Sequence, residues 1–368
     1  MRITDIKVEC YSAPLPTPIS NGRYTYATSE RCLVRVETSE GVTGLGLGDG
    51  GVGLAGAPQM IEGTIASLRP WLIGEDPLAI ERLWSLMWVP KLLGRRGFTT
   101  RVISTVDIAL WDLRGKLFGV PVATLLGAAH ESLPAYVAGG YYTADGGLTE
   151  LVREVEGSMA LGARALKMKI GAVPIAADLA RVRAVRDTVG SDVRLMVDAN
   201  NAYTVYEAIQ MARELEPLDV YWFEEPVMPD DLRGLTRIAR ATRLPIAAGE
   251  NEYTRYGFRD LVEQGEPGIL NPDAQFLGGV TEFMKVAAFA QAYDIPVAPH
   301  GSHDIHVHLA TAIPNGLIVE YSPPGSDPLL EPFQIDALEL VDGQVRPPAR
   351  PGFGLELDEA RLARYRVL

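Results

Sequence analysis

The sequence predicts an α/β protein: a closed barrel of parallel strands, capped by an α+β domain assembled from the N-terminal and C-terminal segments. From about residue 133, eight short apolar runs (AYVAGG, ALKMKI, RLMVDAN, VYWFEEP, PIAAGEN, ILNPDA, IPVAPH and LIVEY) alternate with seven helix-like segments such as LARVRAVRDTVG. Strand then helix, repeated with short connections, implies parallel strands, and eight of them suggest closure. A second observation agrees: Lys169, Asp198, Glu224, Glu250, Asp273, His300 and Glu320 stand at the C-terminal edges of successive runs, 20 to 29 residues apart. That edge is where a parallel barrel gathers its active site.

The third observation is that the flanking segments lack this alternation. Residues 1–125 open with strand, loop and strand: ITDIKVECYSAPL, the Pro-rich PTPISNGRYTYATSE, and RCLVRVETSEGVTGLG with a tight turn at Ser39-Glu40-Gly41. Helical periodicity follows at 58–73, 77–93 and 99–118, the last ended by Gly119 and Pro121. The barrel is expected over 126–324. Residues 325–368 return to strand and loop character and are expected to complete the cap.

Composition narrows the function. At 368 residues, 47% hydrophobic and 22% charged, the chain has ample core for a soluble globular protein. With 34 basic and 47 acidic residues the net charge is −13, which repels polyanions and argues against nucleic acid. No apolar run suits a signal peptide or a membrane span, so the expected location is the cytoplasm, with no membrane partner. Cys10 and Cys32 lack paired-ligand spacing and read as reduced packing residues.

Asp198, Glu224 and Glu250 end three consecutive strands, so their carboxylates should converge. Three oxygen anions without a thiolate suit a hard divalent cation, Mg²⁺ before Zn²⁺. Lys167 and Lys169 are two apart on one strand and share a face. Side by side they should depress each other's pKa, and moving Lys169 from ~10.4 to the 7 or 8 useful to a base takes about 4 kcal/mol. Lys169 is then the base and Lys167 a carboxylate anchor. His300 ends the seventh strand beside Asp273 of the sixth, a carboxylate that would orient the ring. Glu320 closes the circle beside Lys167 and could, if protonated, donate to an anionic oxygen. Four of the five histidines fall within APHGSHDIHVHLA, but only His300 stands at a strand end. His303 is a pocket-lining candidate at the start of the next helix, while His306 and His308 should pack within or cap that helix. Gly46-Leu47-Gly48-Asp49-Gly50-Gly51 fits G-x-G-x-x-G, but it follows an antiparallel ribbon and so reads as a flexible loop over the barrel mouth, not a nucleotide site.

Taken together, KMK, the Asp-x-Asn of VDANN, FEEP, GEN, the Asp of NPDA, the His of APH and the Glu of VEY resemble the enolase superfamily, specifically the mandelate racemase subgroup of the mandelate racemase and muconate lactonizing enzyme family. The muconate lactonizing branch is disfavoured, since it carries a lysine where this chain has Asp273. The resemblance implies a (β/α)7β barrel, a modified TIM barrel, under an α+β cap, and a homo-oligomer. It implies abstraction of the proton next to a carboxylate to give an enediolate, with one Mg²⁺ per active site held by Asp198, Glu224 and Glu250. Lys169 and the Asp273/His300 pair would be opposed acid/base groups, with Lys167 and Glu320 stabilising the enediolate. Asn200 would contact the substrate.

Two opposed bases suit dehydration, racemisation or epimerisation, and lactone cycloisomerisation. The segment ISNGRYTY offers Ser20, Asn21, Arg23, Tyr24 and Tyr26, with Arg23 and Tyr24 as leading substrate contacts, a set suited to hydroxyls more than to a phenyl ring. The preferred expectation is an acid-sugar dehydratase acting on an aldonate or aldarate. The reading from a different class is a non-catalytic barrel that binds a sugar acid.

Overall fold

The structure is a computed structural model describing residues 1–51, 53–88, 96–144, 146–334 and 337–368. It opens with an antiparallel sheet, β1 (Ile3–Ser20), β2 (Thr25–Thr38) and β3 (Thr43–Asp49), in the order β1-β2-β3. The Pro-rich segment 16–30 is therefore strand except for a turn at 21–24, where a loop was expected throughout. Pro14 still pairs with Thr28, and the register shifts between Pro14 and Ile19. Proline is tolerated there because β1 is an edge strand, where a missing N–H leaves no partner unsatisfied.

Helices α1 (Ala57–Leu72), α2 (Ile80–Trp88), α3 (Phe98–Phe118) and α4 (Val122–Leu126) follow. Residues 89–93 of the expected second helix lie outside the described residues. Helix α3 lies directly on β3, and this explains the glycine run. A Cβ at Gly44, Gly46 or Gly48 would fall 2.0–2.1 Å from Ala109 O, Thr105 O or Thr105 Oγ1. The run through Asp49 is thus strand pressed against helix, not the expected flexible loop, because only glycine permits so close an approach.

The barrel alternates β4 (Leu133–Gly139), α5 (Leu148–Ala160), β5 (Ala165–Lys169), α6 (Ile175–Val189), β6 (Arg194–Asp198), α7 (Val205–Leu215), β7 (Val220–Glu224), α8 (Leu232–Ala239), β8 (Ile246–Ala248), α9 (Thr254–Gly265), β9 (Ile269–Leu270), α10 (Ala274–Leu277), α11 (Gly279–Gln291), α12 (His303–Ala312) and β10 (Val319–Tyr321). Neighbouring strands pair in parallel, and β10 returns to β4. The expected seventh strand, IPVAPH, shrinks to bridges from Val297 to Leu270 and Gly316. Pro296 and Pro299 have no N–H to give, so a continuous ladder is not available. Closure holds through Leu270 N–H to Pro296 O, 3.0 Å, and Leu317 N–H to Val297 O, 2.8 Å.

One buried residue from each of the eight barrel segments plugs the interior: Tyr136, Ala165, Met196, Trp222, Ala247, Ile269, Ala298 and Ile318. Tyr136 and Trp222 pack edge to face and fill the space that the alanines leave. Because side chains alternate along a strand, the inward positions above Ala165 are Lys167 and Lys169, and above Met196 lies Asp198. The apolar plug thus makes the floor of the site.

The C-terminal segment carries α13 (Leu330–Phe333), β11 (Gln344–Val345) and α14 (Glu359–Leu362). It serves both regions, where completion of the cap alone was expected. Val367 N–H donates to Cys10 O of β1, 2.8 Å, while β11 pairs antiparallel with β4 of the barrel. Among the described residues no helix is long and apolar enough to cross a membrane.

Candidate active site

The strand ends do bring three carboxylates together: one oxygen from each of Asp198, Glu224 and Glu250 lies within 4.8 Å of the others, and all three residues are buried. Burial, opposed by the Lys167 ammonium, pushes Glu224 up to about 7, and Asp198, Glu250 and Glu320 add repulsion. Glu250 Oε2 is buried without a hydrogen-bond partner. Converging all-oxygen donors with an orphaned carboxylate oxygen among them fit a hard divalent cation.

Two lysines press on this group. Lys167 Nζ donates to Glu224 Oε1 at 2.8 Å and to Glu320 Oε2 at 3.2 Å; Lys169 Nζ donates to Asp198 Oδ2 at 2.5 Å. Lys167 does lower the pKa of Lys169, as expected, but the net shift is upward. Burial disfavours the charge of Lys169, but Asp198 and then Tyr141 outweigh it and hold the ammonium above its ordinary range. Opposite charge at contact distance exceeds the repulsion between the two lysines.

Glu320 also departs from expectation. It accepts from Tyr136 O–H at 2.7 Å, Gly301 N–H at 3.1 Å and Lys167. Burial opposes its ionisation, yet Lys167, His300 and Lys169 hold it well below the usual carboxylate range. All three donors meet Oε2, which makes that oxygen an acceptor holding the Lys167 ammonium.

His300 lies at the other side of the triad, Nε2 3.4 Å from Glu250 Oε2 and Nδ1 3.0 Å from Asp273 Oδ2. Burial works against its charge, but Glu250 and Asp273 raise the ring to about 10. Asn200 is buried, its Nδ2 3.4 Å from Glu250 Oε1 and its Oδ1 without a partner.

The other three histidines of the APHGSHDIHVHLA segment make packing and backbone contacts. His303, expected to line the pocket, stacks on Tyr321 and accepts the Ser322 N–H at Nδ1, 3.0 Å, which turns it away from the main cavity. His306 accepts Ala274 N–H at Nε2, 2.9 Å, beside the Asp273 loop, and His308 holds Ala123 N–H and Phe353 O.

A cavity of about 490 Å³ opens above Lys169, Asn200, Glu250 and His300, within the size range of small-molecule sites. Tyr24 lines it, as expected, but Arg23 does not. The Arg23 side chain is held at the rim by Asn201 O, 3.3 Å, and Met228 Sδ, 3.0 Å. The guanidinium in the lining is Arg101 of α3, which donates to Asp49 Oδ2 at 2.7 Å and Tyr253 O–H at 2.9 Å.

Sequence reasoning missed Arg101 because helix periodicity does not say which residue meets a distant barrel mouth. It also missed Glu225, which accepts Asn201 Nδ2 at 2.7 Å and Asn251 Nδ2 at 2.9 Å. These bonds link Asn201 and Glu225, which with Asn200 stand at positive φ of 64°, 41° and 41°, strained backbone of the kind found at functional sites. The doubled glutamate of FEEP was the available signal. Tyr136 was findable too, since it lies inward on its strand.

Fold and site together define an enolase-superfamily enzyme. The chain matches the family described as mandelate racemase/muconate lactonizing enzyme, N-terminal domain, over 3–127, and enolase C-terminal domain-like over 150–361, and it belongs to the mandelate racemase/muconate lactonizing enzyme family. It is 38% identical to the 3,6-anhydro-alpha-L-galactonate cycloisomerase of Streptomyces coelicolor, over 99% of both chains. It is 35% identical to the arabinonate dehydratase of Saccharolobus solfataricus, over 92% of this chain and 91% of that one. A solved racemase from Streptomyces coelicolor with bound magnesium superposes with a TM-score of 0.92 at 37% identity, over 99% of this chain and 100% of that one.

Proposed function

We propose that the protein is a Mg²⁺-dependent sugar-acid lyase that removes the proton α to a carboxylate and expels the oxygen on the β-carbon. The observation that carries this reading is the placement of Lys169 and His300 on opposite flanks of the triad, one against Asp198 and the other against Glu250. Asp198, Glu224 and Glu250 would hold the Mg²⁺, which when bound supplies positive charge opposite the substrate carboxylate as further negative charge develops there.

Lys169 takes the α-proton at Nζ. It can do so only as a free amine, so the charge of Asp198 must be engaged elsewhere than on the ammonium. His300 carries a proton at Nε2, with Nδ1 held by Asp273, and delivers it to the departing oxygen. The C–O bond breaks as the C–C double bond forms, water leaves, and the enol relaxes to a 2-keto-3-deoxy acid. Lys167 stays charged between Glu224 and Glu320 and opposes the developing anion. The cavity's asparagines and tyrosines suit the hydroxyls.

The 38% identical cycloisomerase favours a second reading with the same proton transfers. If the β-oxygen belongs to an ether ring, it stays attached after elimination and the product is an isomer of the substrate. The roles of the two bases are tested by NMR of α-proton exchange in D₂O with a panel of sugar acids. Wild type should exchange and form keto acid. Lys169→Ala should lose exchange for substrates presenting the proton on its side, and His300→Asn should lose roughly 10²- to 10⁴-fold in turnover while retaining that exchange. A protein that binds acids without exchanging any α-proton is a binding barrel, and the proposal fails.

A further inference from the structure

We infer that the substrate carries a single carboxylate and meets the cavity with a neutral polyol chain, so that it is an aldonate or an anhydro-aldonate rather than an aldarate. This rests on the sugar-acid reading above and names the class within it. The charged residues in the described lining of the main cavity are Asp49, Arg101, Lys169, Glu250 and His300. Lys169, Glu250 and His300 belong to the reacting centre.

The remaining two cancel. Arg101 Nη1 donates to Asp49 Oδ2 at 2.7 Å, and its Nε is spent on Tyr253 O–H at 2.9 Å. Its guanidinium also lies over the Phe276 ring, 3.9 Å from the centroid, which fixes it in place. The pair offers donors and acceptors without net charge, and such groups solvate hydroxyls.

A second cavity, about 420 Å³, shares Tyr26 and Tyr141 with the first and reaches Glu320. Its charged lining is Glu154, Glu320 and Asp327. Two cations pair directly with this set, Lys167 with Glu320 at 3.2 Å and Arg31 with Asp327 at 3.0 Å, and both are compensated by those carboxylates. A distal carboxylate would therefore face a compensated cation on one side of the tyrosines and excess negative charge on the other. Removing a carboxylate from water without a counter-charge is strongly unfavourable, whereas a hydroxyl needs only hydrogen bonds. Arg23 adds little to this balance: its side chain is exposed at the rim, and its Nη1 is engaged by Asn201 O and Met228 Sδ, where solvent and salt screen the charge.

The test compares kcat/KM of the Mg²⁺-loaded enzyme on aldonates and on the aldarates of matching configuration, pentose and hexose series both included. Wild type should prefer its best aldonate, or the 3,6-anhydro form, over every aldarate by at least about 100-fold. Asp49→Asn should move the aldarate-to-aldonate ratio upward by about tenfold or more, because it leaves Arg101 uncompensated while Oδ1 can still accept Gly51 N–H. Arg101→Gln should move the ratio the other way. If an aldarate matches the best aldonate in wild type, the inference is overturned while the lyase reading stands. An Asp49→Asn protein with unchanged melting temperature and unchanged ratio also overturns it. If no acid of either class exchanges its α-proton, the lyase reading fails and takes this inference with it. Should Asp49→Asn not fold, the wild-type comparison decides alone.

Discussion

His300 Nδ1 lies 3.0 Å from Asp273 Oδ2, and the other oxygen of that carboxylate accepts the Gln275 N–H at 2.7 Å. The carboxylate is fixed by backbone before it meets the imidazole, so Nδ1 carries hydrogen and Nε2 is presented to the cavity. Asp273→Asn keeps the shape but removes the charge that stabilises the imidazolium, leaving a neutral ring that gives up its Nε2 proton far less readily. It should lower kcat by roughly 10²-fold or more with little change in KM. Steady-state kinetics together with nitrogen NMR of the His300 ring check this; an unchanged kcat would remove Asp273 from the machinery.

Metal removal should silence the enzyme, with Mg²⁺ restoring it after chelation. A readout independent of turnover is thermal: Mg²⁺ at 100 times its Kd should stabilise the folded protein by about 2.7 kcal/mol. Glu224→Gln should shrink that gain, since one of the three converging carboxylates is neutralised. A melting curve indifferent to Mg²⁺ in wild type would refute the ligand set.

His308 should make folding sensitive to mild acid. Burial pushes the imidazole down to about 4 from its ordinary 6.5, between Ala123 N–H and Phe353 O. As pH falls below 6.5 the unfolded chain takes up a proton that the folded protein refuses, so stability present above 6.5 is lost toward pH 4. The full loss from this group is about 3 kcal/mol. Urea midpoints of wild type and His308→Gln between pH 7.5 and 4.5 should converge as pH falls; parallel curves would contradict the assignment.

Gly46→Ala should destabilise without touching the chemistry. The new methyl would lie 2.0 Å from Thr105 O and 2.8 Å from Ala109 N, both in the backbone of α3. Helix and sheet must separate, at a cost of about 3 kcal/mol. A urea midpoint equal to wild type would show that the contact relaxes freely.

Arg23→Ala should change kcat/KM by less than about twofold, because an exposed cation held to Asn201 O adds little in water. A tenfold rise in KM would return Arg23 to the substrate site.

The sequence by itself determined the barrel and the ring of strand-end residues, while its motifs carried the resemblance to the family. The barrel and the ring follow from periodicity: a strand points alternate side chains inward, and a parallel barrel collects every C-terminal strand edge at one mouth. Lys167, Lys169, Asp198, Glu224, Glu250, Asp273, His300 and Glu320 were legible for that reason, each from its place on a single strand. What the tertiary structure alone decided depends on distances between elements far apart in the chain. The lysines are stabilised as cations because Asp198 of the next strand and Glu224 of the one beyond reach them, and Glu320 Oε2 is an acceptor because Tyr136, Gly301 and Lys167 all donate to it. The glycine run of β3 is packing against α3, His303 turns to Ser322, and Arg101 in place of Arg23 lines the cavity. Residue type and local period carry no record of such distances, which are set by how the cap settles on the barrel and by which buried charges find partners there.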